Sequence, residues 1–153
     1  MFLSELGDLM KEVIRTSAIT IVAVIGGTIF AQWAVSDLFT QSPEDKSKLL
    51  MKTANEVNAN LPMNIDEDTV LFSTVGAQNK FTYNFRLLNY DKDNLDLAAF
   101  AETMKPNVTN SVCTAVDMKV FRDKEVIVSF GYFDTNQKQI TVIDVDTKEC
   151  PKT

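Results

Sequence analysis

The sequence contains no histidine. Histidine is the commonest general base and metal ligand and the usual partner of a nucleophilic serine or cysteine. Its absence excludes Ser–His–Asp and Cys–His catalysis and every zinc site that uses an imidazole. The two cysteines are too few for a tetrathiolate zinc site. We therefore expect a protein that is not an enzyme and that binds no cofactor.

Basic residues are also scarce. Lysine and arginine number 15 against 21 acidic residues, which gives a formal net charge of −6. A nucleic-acid-binding surface needs clustered cations to neutralise phosphates. The balance of charge therefore excludes nucleic acid as a partner, and it disfavours adhesion to anionic lipid by electrostatics alone.

One long apolar run is present near the N-terminus. Residues 16–38 carry no charge between Arg15 and Asp37, and about 20 apolar residues are enough to cross a hydrocarbon core as a helix. A buried helix of a soluble domain is the alternative interpretation. A cleaved signal peptide fits poorly, because the preceding segment is acidic and a small-x-small cleavage site is missing. The run predicts a single uncleaved transmembrane signal anchor.

The flanking charges predict the orientation of this anchor. Lys11 and Arg15 precede it, whereas the first cation after it is Lys46. By the positive-inside rule, residues 1–15 form a cytoplasmic amphipathic segment and residues 39–153 an exported domain. The predicted location is the bacterial inner membrane, with the C-terminal domain in the periplasm.

Ala23, Gly27 and Ala31 form a row of small residues spaced by four within the predicted span. This spacing lets two transmembrane helices approach closely. Helix–helix packing through this row, including a homodimer, is therefore a hypothesis.

The first half of the exported part predicts one helix and one hairpin. Ser42 and Pro43 form a helix start, a capping hydroxyl followed by proline at the first helical position. Apolar residues then recur at helical spacing until the Leu61–Pro62 dipeptide, which ends the helix. Strands are predicted over residues 69–75 and 80–90, and the second shows the alternation of a half-buried strand. Its apolar side is Phe81, Tyr83, Phe85 and Leu87.

The second half predicts further helices and a second hairpin. Asp93 is expected to cap a helix, with Asp96 as its capping-box partner and Pro106 as its end. A short helical stretch follows, and then two strands joined by a turn at residues 134–137. The predicted fold class is α+β: a transmembrane helix, then a small antiparallel sheet of about four strands in two hairpins, with helices packed on one face.

Cys113 and Cys150 are the two cysteines. A minimal even number in a small exported domain is typical of one disulfide. A redox-active pair would prefer the C-x-x-C spacing, which is missing here. Two free thiols in a cytosolic domain would require the opposite membrane topology.

Two acidic segments invite a metal-binding interpretation. Residues 91–96 resemble the start of a calcium loop, but Leu95 replaces an oxygen ligand and no glycine follows it where the turn needs one. Residues 66–68 are three consecutive acids. We interpret the first segment as turn and helix-cap residues and the second as a solvated loop, and we predict no metal site.

Several spaced motifs carry a resemblance. They are LPMNIDEDT at residues 61–69, FTYNF at 81–85, VCT at 112–114 with MK at 118–119, and a tyrosine-containing strand followed by a cysteine. Together they resemble a family of small bacterial inner-membrane-anchored periplasmic proteins of unknown function. The order of elements is also similar to that of the type II secretion pilotins, which are α/β lipoproteins that bind and escort a secretin subunit. Pilotins carry an acylated N-terminal cysteine, whereas this chain has the predicted transmembrane helix instead.

These features predict a non-enzymatic, membrane-anchored periplasmic module that binds a protein partner of the bacterial envelope. Three alternatives stay open. One is an immunity or superinfection-exclusion protein acting at the inner membrane. Another is a pilotin-like or secretion-complex accessory subunit, as the resemblance implies. A third is a periplasmic hydrolase that uses carboxylates alone.

Overall fold

The computed structural model of the chain describes residues 42–151. The predicted anchor over residues 16–38, the segment before it and the small-residue row Ala23, Gly27 and Ala31 lie outside the described residues. Within residues 42–151, no helix has both the length and the apolar character needed to cross a membrane. The elements are α1 (Pro43–Asn58), β1 (Met63–Asn64), β2 (Thr69–Ala77), β3 (Lys80–Leu87), α2 (Leu97–Thr114), α3 (Lys119–Asp123), β4 (Ile127–Phe133) and β5 (Gln139–Asp146), with short 3-10 turns at Lys92–Asn94, Val116–Met118 and Thr147–Glu149.

The five strands form one sheet in the order β1-β2-β3-β4-β5. The two predicted hairpins, β2–β3 and β4–β5, are confirmed. The prediction of a purely antiparallel sheet was wrong, because β3 pairs with β4 in parallel. The long connection through α2 and α3 returns the chain to the end where β3 began, which is what a parallel pair requires. β1 was missed because a two-residue strand shows no period.

All three helices pack on one face of the sheet, as predicted. The inward side of β3 is buried along its whole length. α1 lies over β2, where the Thr74 hydroxyl donates to the Ala54 carbonyl at 3.1 Å. Phe100 of α2 contacts the Tyr132 ring edge-on, with the ring centroids 5.3 Å apart. α3 brings Phe121 to 5.3 Å from Phe81. The core therefore lies between the helices and this face.

The start of α1 is confirmed, and two predictions about α2 were wrong. The Ser42 side chain accepts a hydrogen bond from the Asp45 N–H, but Asp96 and not Asp93 caps α2, by accepting from the Ala99 N–H at 3.0 Å. Pro106 does not end α2, which continues to Thr114. Proline removes one intrahelical hydrogen bond, and burial of the apolar side chains before and after it keeps the helix continuous. Those side chains are Phe100, Met104, Val108 and Val112.

Candidate functional site

The face of the sheet opposite the helices is the candidate interaction surface, and we call it the open sheet face. It is formed by the side chains of β2 to β5 that alternate with the core positions. Val75 and Val142 on this face are 49% and 45% exposed. The three helices bury the other face, so this one leaves side chains of four strands accessible. The residues that form it include Phe72, Ser73, Val75, Lys80, Thr82, Asn84, Arg86, Ser129, Gly131, Phe133, Val142 and Asp144.

At one end of the open sheet face, Phe72, Arg86 and Phe133 form what we call the Arg86 cluster. Arg86 and Phe133 are paired across β3 and β4. Phe72 is the extra residue where the β2–β3 register shifts between Leu71 and Ser73. A bulge of this kind redirects a side chain, and here Phe72 meets the Phe133 ring edge-on at 5.3 Å. The Arg86 guanidinium lies 5.7 Å from the Phe72 ring centroid.

Arg86 has a cation–π contact and no carboxylate partner within residues 42–151. Its Nε is buried and has no hydrogen-bond partner there. Arg122, by comparison, donates to the carbonyls of Val112 and Ala115 at 2.7 and 2.8 Å. A half-buried guanidinium that leaves N–H donors unused favours an acceptor supplied from outside the domain.

The middle of the open sheet face is kept shallow by Gly131. A Cβ atom at this position would lie 2.5 Å from Asn84 Oδ1 and 3.3 Å from Phe133 Cε2. The Asn84 amide, which occupies this space, donates to Ser73 Oγ at 3.0 Å. Because Gly131 has no side chain, the Asn84 amide and the Phe133 ring can both pack over its backbone.

At the other end of the open sheet face lies a second cation, Lys80, which forms an ion pair with a carboxylate of the domain. Lys80 Nζ lies 2.6 Å from Asp144 Oδ2, and the Ser129 hydroxyl donates to Asp144 Oδ1 at 2.6 Å. Desolvation raises the pKa of Asp144, but the hydrogen bonds from Lys80 and Ser129 outweigh it and hold the pKa below its usual value. Lys80 is thus paired within the domain, in contrast to Arg86.

Asp134 joins the β4–β5 turn to the loop before α2. The residue is fully buried, and its Oδ1 accepts the N–H groups of Asn136 and Lys138, both at 2.8 Å. Its Oδ2 accepts the Lys92 N–H at 3.1 Å. Desolvation raises the pKa of Asp134, but these backbone donors and the charge of Lys138 outweigh it and lower the pKa. Asp134 is therefore a structural carboxylate.

Replacing Asp134 with asparagine is expected to destabilise the domain at neutral pH, because an amide nitrogen would face a backbone N–H. The pKa of Asp134 is lower in the folded than in the unfolded protein, so the ionised carboxylate stabilises the fold at pH values above the ordinary aspartate pKa of about 3.9. This stabilisation is lost as the pH falls through the pKa of Asp134 in the folded protein. The gap in thermal midpoint between wild type and D134N should stay constant near neutrality and narrow below about pH 4. Asp93→Asn, which removes an exposed ion pair with Lys138, is the control and should have less effect. Equal losses in both variants, or a gap independent of pH, would contradict the assignment.

The predicted disulfide is confirmed: Cys113 near the end of α2 is bonded to Cys150, and their Cα atoms are 5.2 Å apart. The loop at residues 91–96 serves as turn and cap, as predicted, since Asp91 accepts from the Asp93 N–H and Asp96 caps α2. In the described part of the chain, no group of three or more acidic or cysteine side chains is placed to hold a metal ion. Burial raises the pKa of Tyr83 and Tyr132, so both phenols are neutral core residues.

Sequence reasoning missed the Arg86 cluster. The signal available was an arginine on the polar side of an otherwise aromatic strand. The sequence does not show that Phe133 and Phe72 lie beside this arginine. The position of Phe133 depends on the parallel β3–β4 pairing, and that of Phe72 depends on the bulge in β2.

The fold is that of a pilotin-like domain, as comparison with solved structures shows. The pilotin of the Vibrio vulnificus type 2 secretion system has a TM-score of 0.56 at 10% identity, over 72% of this chain and 96% of that one. A type II secretion pilotin from Vibrio cholerae gives 0.54 at 11% identity, over 71% and 94%. A candidate secreted protein from Pseudomonas aeruginosa gives 0.61 at 16% identity, over 73% and 100%.

Residues 45–142 match the family described as a domain of unknown function, DUF8479. The chain belongs to this family. No curated protein matches it.

Proposed function

We propose that this chain is a non-enzymatic accessory subunit of a bacterial secretion complex, and that its pilotin-like domain binds a protein component of that complex. The observation that carries the proposal is the extent of the fold similarity, which covers 96% and 94% of two pilotins. The open sheet face supports it, since aromatic residues and arginine are enriched where protein partners bind.

The proposal includes an anchor at the inner membrane, with the domain in the periplasm. Two observations support this location. Residues 16–38 are long and apolar enough to span a bilayer, and the Cys113–Cys150 disulfide is typical of an oxidising compartment. The anchor would do the work that a lipid does for pilotins, which is to keep the domain at a membrane.

Cross-linking in intact cells tests the proposed function. Tagged full-length chain should enrich a secretion-complex component in quantitative mass spectrometry after cross-linking. The matched control is a chimera of residues 1–41 fused to an unrelated exported domain, which keeps the anchor and removes the pilotin-like domain. Enrichment of the same proteins by both, or of no secretion component by the full chain, would reject the proposal.

A further inference from the structure

The Arg86 cluster offers a cation to a partner in a protein that is otherwise acidic. The net charge is −6, and the two cations of the open sheet face differ in their partners. Lys80 is held by Asp144 at 2.6 Å. Arg86 forms no ion pair within residues 42–151, and its Nε is buried without an acceptor. Of these two cations, a carboxylate arriving from outside would meet one without an ion-pair partner at Arg86, and one whose charge Asp144 already balances at Lys80.

The surroundings of Arg86 predict what accompanies that carboxylate. Phe72 and Phe133 are half-buried rings in edge-on contact with each other, and Phe133 is the β4 residue paired with Arg86. Phe72 holds the guanidinium by the cation–π contact, which reduces the freedom that Arg86 loses on binding. The rings also exclude water from one side of it, and this strengthens a charge-assisted hydrogen bond. Toward the middle of the face, Val142 is exposed beside Gly131 and leaves a shallow apolar area.

We infer that the Arg86 cluster binds a partner segment in which a carboxylate stands next to an apolar side chain: the carboxylate accepts hydrogen bonds from Arg86, and the apolar side chain packs against Phe133 and Val142. The inference rests on the proposed function, since it names the chemistry of the segment recognised. Binding requires no bond to form or break.

Peptide selection with the full-length chain in detergent micelles tests the inference directly. A random peptide library should yield ligands enriched in Asp or Glu beside an apolar residue. The same selection with Arg86→Gln should lose that enrichment. For a selected peptide, Arg86→Gln should weaken binding about tenfold or more, the range expected when a hydrogen bond to a charged group is lost.

A double-mutant cycle separates contact from general damage. Changing the peptide Asp to Asn should weaken binding to the wild type and have little further effect on Arg86→Gln. Lys80→Gln is the matched control, because it removes a cation from the same face that is already paired, and it should bind like the wild type. Thermal midpoints of all variants establish that each one is folded.

Three results would overturn the inference: selection of the same peptides by wild type and Arg86→Gln, no enrichment of acidic peptides, or enrichment of sequences matching residues 1–41 or 139–146 of this chain. The last result would indicate that the face binds its own N-terminal segment or a second copy.

Cross-linking with Arg86→Gln separates this inference from the proposed function. A secretion component recovered undiminished by this variant would leave the proposed function standing and reject the role of Arg86, whereas no such component with the wild type would reject the function itself.

Discussion

Replacing Gly76 with alanine is expected to lower the free energy of unfolding by about 3 kcal/mol or more, at or above the upper end of the usual overpacking cost. A Cβ atom at this position would lie 2.0 Å from the Leu50 carbonyl oxygen and 2.2 Å from its carbon. These are backbone atoms of α1, so no side-chain rotation relieves the overlap. The helix would have to move away from β2 and open the core around Leu50 and Ala54.

Gly131→Ala is the matched control for this prediction. Its Cβ atom would also overlap a neighbour, at 2.5 Å, but that neighbour is the end of the Asn84 side chain. Rotation of the Asn84 amide relieves this contact, so the cost should be about 1 kcal/mol or less. Urea unfolding followed by circular dichroism measures both variants. Similar losses at the two glycines would show that direct packing of α1 on the strand backbone does not explain the role of Gly76.

Local patterns in the sequence predicted the elements well, because each signal lies within a few residues. Ser42 and Pro43 start α1 where the capping rule places it. The alternation of residues 80–87 predicted β3 and its buried side, which holds in every position from Phe81 to Leu87. The turn at residues 134–137 separates β4 from β5 as expected. In each case the local conformation and the burial preference agree.

The failures concern interactions between distant segments. Pro106 reads locally as a helix end, yet α2 passes through it because Met104 and Val108 on either side are buried in the core. Alternation assigns a polar side to β3 but does not say which strand lies next to it. The parallel β3–β4 pairing decides that Phe133 neighbours Arg86. The candidate site therefore follows from sheet topology.

Asp134 is a second example of an interaction between distant segments that the sequence does not predict. The sequence predicts its turn, whereas its bond to the Lys92 N–H depends on how the loop before α2 meets that turn. The Tyr90 carbonyl accepts the Thr135 N–H in the same contact. The turn lies directly after Phe133, so this buried carboxylate holds the end of β4 that carries part of the Arg86 cluster. Such bonds would reduce the freedom that this end of β4 loses in the proposed binding.

Removing the disulfide by Cys113→Ala together with Cys150→Ala is expected to lower the free energy of unfolding by about 3–4 kcal/mol. The cysteines are 37 residues apart, and the chain-entropy estimate for a loop of this length gives that value. The bond ties the end of α2 to the chain that leaves β5, and β5 is the edge strand that α2 covers. A loss of this size is a large share of the stability of a small domain.

Reduced wild-type protein is the control for the double variant, because it lacks the bond but keeps both sulfur atoms. If the bond stabilises chiefly by restricting the unfolded chain, reduced wild type and the double variant should unfold at similar urea concentrations, both well below the oxidised protein. A reduced wild type as stable as the oxidised one would refute the prediction. A double variant much less stable than reduced wild type would instead assign the effect to packing, since Cys150 is buried and alanine would leave a cavity in place of its sulfur atom.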